Sequence, residues 1–411
     1  MRLRLRPFCT MLTMLVLAAC ATQPAPPPVK IQPVTTSDAV FPAPPQLQPQ
    51  IAFWRNVYAV WGRQQVAFHD NRYMDLIYEV VSLPGMENEG YSTDQQALVK
   101  MQYETLKASL RQLEFKTAAN APLTPDEAAL AAKIRNSSGG SSAIAGASDR
   151  LRSQRGLRER FKRGLEISGR YDTAFRGVFR EAGLPEDLAY LPHVESSFQN
   201  HAASSVGAVG MWQFMPDTAK RHMMMNVAVD ERRDPVASAQ GAADYLGKAY
   251  GRLGSWPLAI TSYNHGVGGM SRARLQHGDD IALIVGSYSG KGFGFASRNF
   301  YTEFLAAREV ARNPQRYFPE GLNYDAPLNL DRIQLRQSVT APMLASYYEV
   351  NLWELNNLNK AWNPPAQNGR IALPAGTKVW LPAGTVARLA QRGSAGRDFV
   401  MAETVSATPS R

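Results

Sequence analysis

The sequence predicts a mainly α-helical protein with a small α+β module near its C-terminus, and three observations carry that prediction. Apolar residues recur at steps of three and four through most of residues 51–118 and 150–312, the period of an amphipathic helix. Helix punctuation surrounds those runs, as in "DERRDPVASAQGAADYLGKAYGRLG", where a turn and helix start precede the apolar face and Gly254 supplies a stop. Strand-like pieces enter late: "IQLRQSV" and "KVWLP" flank "PMLASYYEVNLWELNNLN", an order of strand, two short helices, strand.

From the N-terminus, Arg2, Arg4 and Arg6 precede an apolar run, Met11 to Ala19, that is too short to cross a bilayer. The run ends in Leu17-Ala18-Ala19-Cys20, which resembles a bacterial lipobox. Residues 1–19 are therefore expected to be a lipoprotein signal peptide and Cys20 the lipid-modified first residue of the mature chain. Cys9 lies inside that leader, so no disulfide is expected within the mature chain. Loss of the three arginines takes the formal charge from +10 to +7, a modest excess that suits an anionic polymer or surface.

Residues 20–50 are rich in proline and read as a stiff, extended tether. Residues 51–118 read as an N-terminal helical region, with Phe53, Val57, Val60 and Trp61 on one face. Residues 119–149, ending in "RNSSGGSSAIAGAS", read as a flexible linker. A basic helix opens at "DRLRSQRGLRERFKRGLEISGRY"; its charges read as a solvated face or a polymer-facing patch. Within 150–312, Ala242, Tyr245, Leu246 and Tyr250 are expected to face inward. The α+β module takes 325–388, and 389–411 reads as a loose tail.

One residue breaks the helical pattern. Leu184, Leu188 and Leu191 continue in register to Glu195, and at ~100° per residue the four fall within a sector of about 60°. A carboxyl withdrawn from water resists ionisation, so its pKa rises. A neutral glutamic acid at pH 7 is what protonation of a glycosidic oxygen needs; the alternative is a buried carboxyl satisfied by a helix N-terminus or an arginine. After it come Ser196, a glycine-bracketed turn (Gly207, Gly210) and Gln213, whose amide both donates and accepts. Trp212 reads either as core or as a sugar-stacking ring. Tyr263 and Asn264 stand before glycines at a helix end that can face a cleft. No zinc spacing, phosphate-cradling glycine loop or nucleic-acid motif is present, and His193, His201, His222 and His265 do not share metal-ligand spacing.

The stretches "VESSF", "GAVGMWQFMPDTAK", "DERRDPVASAQGAADYL" and "LAITSYNHG", in that order over about 165–310, resemble the motifs of lytic transglycosylases of glycoside hydrolase family 23. The resemblance implies a goose-lysozyme-like helical catalytic domain with a deep glycan groove. It also implies that Glu195 is the single catalytic acid/base and that Ser196, Met211, Gln213, Tyr263 and Asn264 bind substrate. Ser262 stands where the family's third motif has alanine. A last family motif carries a tyrosine; "FASRNFYTEFLAA" offers Phe300 or Tyr301, and Tyr301 is assigned. Asp217, Asp230 and Asp234 sit at positions of helix caps and turn formers.

The implied reaction is non-hydrolytic cleavage of the MurNAc-GlcNAc β-1,4 bond in peptidoglycan, with 1,6-anhydro-MurNAc ends and no cofactor or metal. A hydrolytic lysozyme, or a catalytically inactive peptidoglycan-binding lipoprotein, is the alternative. The C-terminal module resembles a LysM. The expected partners are glycan strands and, through the lipid, the membrane; the expected place is the outer membrane, facing the periplasm.

Overall fold

The computed structural model describes residues 38–86 and 88–391, and the backbone of Val400 and Met401. The signal peptide, Cys20 and most of the proline-rich segment lie outside the described residues. The molecule is mainly helical, with two small antiparallel sheets. No described helix is long and apolar enough to cross a membrane.

The largest core belongs to the helices around Glu195. The basic helix begins at Arg158 rather than at Asp149 and runs to Glu181, burying Phe161, Leu165, Phe175 and Phe179 on its apolar face. Its charged face is neither simply solvated nor left for a polymer. Arg158 and Lys162 meet Glu320, while Arg163 and Arg170 meet Asp325, so the arginines clamp the segment that leads to the C-terminal module. Helix Pro235–Leu253 starts where Asp234 Oδ1 accepts the Val236 and Ala237 N–H groups, both at 2.9 Å, with Pro235 in the first turn. It stops at Gly254, at φ +67°, where a left-handed residue closes the helix. Tyr250, expected inward, is 38% exposed and stacks on Trp256 at 4.3 Å.

Three sequence-based expectations need correction. The end of the tether is packed: Phe41 and Leu47 are buried, the Pro42 carbonyl accepts from Tyr301, and helix Gln48–Ala59 packs on helix Phe295–Arg312 through Trp54–Asn299 and Arg55–Glu309. In this described end of the segment Pro45 and Pro49 stand at helix starts, where proline is favoured. Second, residues 51–118 are not all helical. Strands β1 (Gln65–Asp70) and β2 (Ile77–Ser82) pair antiparallel, and β1 also pairs with β3 (Leu151–Arg155), inside the stretch expected to open the basic helix. Third, residues 119–149 are built into this N-terminal subdomain. Helix Pro125–Arg135 starts on a capping box from Thr124 and Glu127, and Ile134, Ala143 and Ala147 are fully buried beside Val66 and Phe68.

The C-terminal unit has the expected order: β4 (Leu330–Leu335), helices Ala341–Tyr348 and Leu352–Leu358, and β5 (Lys378–Pro382) antiparallel to β4. The backbone of Val400–Met401, within the tail expected to be loose, pairs on the other edge of β4. The unit does not stand apart. Ala228 and Val229, from the loop before helix Pro235–Leu253, are buried in its core, and the Trp380 indole donates to Asp234 at 2.8 Å.

Candidate active site

Glu195 is the last residue of a short helix, Leu191–Glu195, that follows a 3-10 turn, Glu186–Tyr190. The leucine stripe read from the sequence thus crosses two elements, but its consequence holds. Leu188 and Leu191 are fully buried, and Glu195 emerges partly exposed at the end of their row. Two residues earlier His193 is buried, stacked on Phe161 at 5.0 Å, and burial pushes its pKa down to about 3, so it is neutral.

The chain then makes a turn few residues tolerate. Ser197 and Phe198 have φ of +52° and +60°, and Gln213, in the following loop, has φ +48°. Backbone in this region costs side-chain-bearing residues of order 1–3 kcal/mol each, and such outliers gather at functional sites. Here three of the five non-glycine cases among the described residues flank Glu195.

The motif side chains fasten that loop. Ser196 Oγ donates to the Met211 carbonyl at 2.9 Å, and Tyr263 Oη donates to the Trp212 carbonyl at 2.9 Å. Gln213 Nε2 donates to the Gly210 and Ala202 carbonyls at 2.7 and 3.2 Å. Helix end, loop and neighbouring helix are therefore tied together by three of the residues singled out from sequence. Beneath them Arg232, paired with Asp230 at 2.8 Å, donates to the Gly207 and Phe214 carbonyls. Gly210 sits so close that a Cβ there would meet the Arg232 carbonyl oxygen at 1.9 Å. Asp230 and Asp234 are the turn former and cap expected of them.

The structure separates the remaining assignments. Asn264 is exposed at the helix end, its Oδ1 accepting from Ser297 at 2.8 Å. The Met211 side chain and Trp212 are buried core, so what they offer to this cleft is backbone. Tyr301 turns away: it is fully buried and its hydroxyl donates to the Pro42 carbonyl at 2.8 Å. Phe300 takes the inward position instead, its ring parallel to that of Tyr263 at 6.4 Å. One helical step sends the two side chains to different faces, which residue type alone does not decide.

Two residues were missed in the sequence. Glu303, on helix Phe295–Arg312, is a second carboxyl within electrostatic reach of Glu195. Burial pushes Glu195 up to about 8, Glu303 adds to the rise, and no arginine or lysine offsets it. Burial alone pushes Glu303 up to about 8. Tyr58, from helix Gln48–Ala59, feels both carboxyls, and burial holds its hydroxyl well above the usual range. Tyr263 is raised in the same way by burial and by Glu195. At neutral pH both carboxyls are thus mostly protonated, Glu195 at the partly open end of its helix.

The comparisons with known proteins fall on this region. Residues 179–282 match the family described as Transglycosylase SLT domain. Membrane-bound lytic murein transglycosylase D of Escherichia coli (strain K12) is 27% identical over 192 residues, 44% of this chain and 40% of the relative; the protein of that name from Escherichia coli O6:H1 matches to the same extent. The chain thus spans about two fifths of the length of these relatives. A solved lytic transglycosylase Slt from Pseudomonas aeruginosa overlays with a TM-score of 0.28 at 18% identity, over 37% of this chain and 26% of that one, too loosely to argue from. Glu195, Gln213, Tyr263 and Asn264 all lie within the matched stretch, so the chain carries a region similar to the Transglycosylase SLT domain around its candidate site.

Proposed function

We propose that the chain cleaves the β-1,4 bond between N-acetylmuramate and N-acetylglucosamine in peptidoglycan without consuming water, leaving 1,6-anhydro-N-acetylmuramate ends. The observation that carries this reading is the neutral Glu195, raised to about 8 at the partly open end of its helix. A protonated carboxyl there gives its proton to the glycosidic oxygen as the C1–O bond breaks. The 2-acetamido oxygen of the same sugar attacks C1 and forms an oxazolinium ion. Glu195, now ionised, takes the proton of that sugar's 6-hydroxyl, whose oxygen attacks C1 and displaces the acetamido oxygen to close the ring.

Glu303 bears directly on the choice between this route and hydrolysis. A hydrolase normally needs an ionised second carboxylate, as nucleophile or as base for water. Burial holds Glu303 near 8, so at neutral pH it is mostly protonated and serves neither role. The substrate's own acetamido and hydroxyl groups, already beside C1, have a large proximity advantage over free water. Gln213 spends its Nε2 on two carbonyls, which leaves its Oε1 acceptor for a substrate N–H.

The C-terminal unit, with its strand–helix–helix–strand order, is read as a LysM-like glycan-holding module. Cys20 is read as a lipid anchor that keeps the enzyme at the outer membrane, facing the periplasm. Mass analysis of muropeptides from digested, purified peptidoglycan tests the reaction. Anhydro ends, one water lighter than hydrolytic ends, are expected; predominantly reducing ends would establish the lysozyme alternative, and no cleavage the inactive binder.

A further inference from the structure

Away from Glu195, the N-terminal subdomain and the catalytic helices enclose a cavity of about 390 Å³ whose lining holds three arginines, Arg72, Arg150 and Arg298, and no acidic residue. Two helices open onto it: Gln50 comes from the first turn of Gln48–Ala59, with Gln46 and Leu47 in the 3-10 turn leading into it, and Arg298 and Asn299 from the start of Phe295–Arg312. Helix N-termini add positive potential to that of the guanidinium groups.

The charges are not equally balanced. Arg150 is paired with Asp70 at 2.8 Å. Arg298 donates to the Val285 and Tyr288 carbonyls, and Arg72 to the Gly286 carbonyl, and neither forms an ion pair with an acid among the described residues. Burial and the nearby Arg72 hold the Arg298 pKa below its usual value, the mark of a cation lacking an anion. The opposite need is also present. Gln50 Oε1 is buried and has no hydrogen-bond partner, an acceptor awaiting an N–H. Asn299 is already committed, to Trp54 and to the Phe295 carbonyl.

A ligand that satisfies both ends carries a carboxylate and, close by, an amide N–H. Free phosphate supplies an anion but no amide N–H set apart from it. The volume is at the lower end of the range of small-molecule sites and admits a short peptide end. We propose that this cavity binds the carboxyl-terminal end of a short peptide, its carboxylate between Arg72 and Arg298 and an amide N–H on Gln50. The site is separate from the cleavage machinery, so it stands or falls by a binding measurement that involves no turnover.

The test is calorimetric titration of the full chain with N-acetylalanine, with its methyl ester and with inorganic phosphate as controls. Saturable binding of N-acetylalanine is expected, with loss of binding for the ester. Arg72→Gln is expected to weaken binding about tenfold or more, the usual scale for a charge-assisted hydrogen bond. Gln50→Met removes an acceptor that makes no hydrogen bond within the protein, and should also weaken N-acetylalanine binding even if Arg72→Gln disturbs folding. Phosphate binding as tight as N-acetylalanine, no saturable binding of N-acetylalanine, or affinity unchanged in both variants would each overturn the assignment.

Discussion

In the proposed reaction the proton on Glu195 does the chemistry, and the surroundings of that carboxyl set when the proton is present. Glu195→Gln keeps the shape and removes the acid, so cell-wall cleavage should fall by roughly 10²–10⁴-fold; near-normal turnover in that variant would sink the assignment. The proposed mechanism uses the acid form, so the rate in the intact enzyme should fall as pH rises through about 8. Glu303 gives a second, signed test. Both carboxyls have folded-state pKa values raised above the ordinary 4.5, so the stability they contribute is fully present below about 4.5 and is lost as pH rises toward 8. Glu303→Gln should therefore melt higher than the wild type at about pH 9, with no gain at about pH 4, where both forms are neutral. It should also move the alkaline limb of the rate profile to lower pH, since one cause of the Glu195 rise is gone. An unmoved limb would show that the two carboxyls do not interact. Glu303 was legible by the rule that exposed Glu195: in "FYTEFLAA" a lone carboxyl stands on an otherwise apolar helix face. The family motif places a tyrosine in that segment instead, and the choice between Phe300 and Tyr301 depends on the rotation of the helix.

At the scale of elements, the loop 199–214 is the least forgiving part of the site. Gly210 holds φ +82° with its Cα against the Arg232 carbonyl. Arg232 cannot easily retreat, because it is paired with buried Asp230 and bonded to two loop carbonyls. Gly210→Ala should thus cost at least ~2 kcal/mol, from the unfavourable φ and the overpacked contact together, and lower activity with it. Urea unfolding checks this; a loss below ~0.5 kcal/mol would mean that the loop shifts freely. The long helices were legible because their caps and apolar periods are local. The sheet of the N-terminal subdomain was not. Its strands are short, and the central one, β1, pairs with β3 across the whole helical insertion from Thr93 to Arg135. No local pattern in "LRSQR" distinguishes that edge strand from the start of the basic helix that follows it.

At the scale of the molecule, the C-terminal unit and the catalytic domain share a boundary of buried, direct contacts. The Asp230 N–H donates to the Ala361 carbonyl at 2.7 Å and the Asn363 N–H to the Ala228 carbonyl at 2.9 Å, while Asp234 caps a catalytic-domain helix and holds the Trp380 indole. Domains joined through buried contacts of this kind unfold together. One cooperative calorimetric transition is expected for both, and Trp380→Phe, which leaves an oxygen of Asp234 without its donor, should lower it as a whole. Two well-separated transitions, with only one moved by the substitution, would show an independent appendage.

By itself the sequence determined what depends on neighbours in the chain: the caps at Asp234 and Gly254, the amphipathic helices, the strand–helix–helix–strand order at the C-terminus, and Glu195 at the end of a leucine row. Only the tertiary structure decided what depends on residues far apart in it. It brought Glu303 and Tyr58 to Glu195, turned Tyr301 to Pro42, assigned Ser196 and Tyr263 to loop carbonyls, and folded the supposed linker against β1. The reason is physical. Helix periods and caps are satisfied within a few residues, whereas desolvation of a carboxyl and pairing of a strand require partners that only the packed chain supplies.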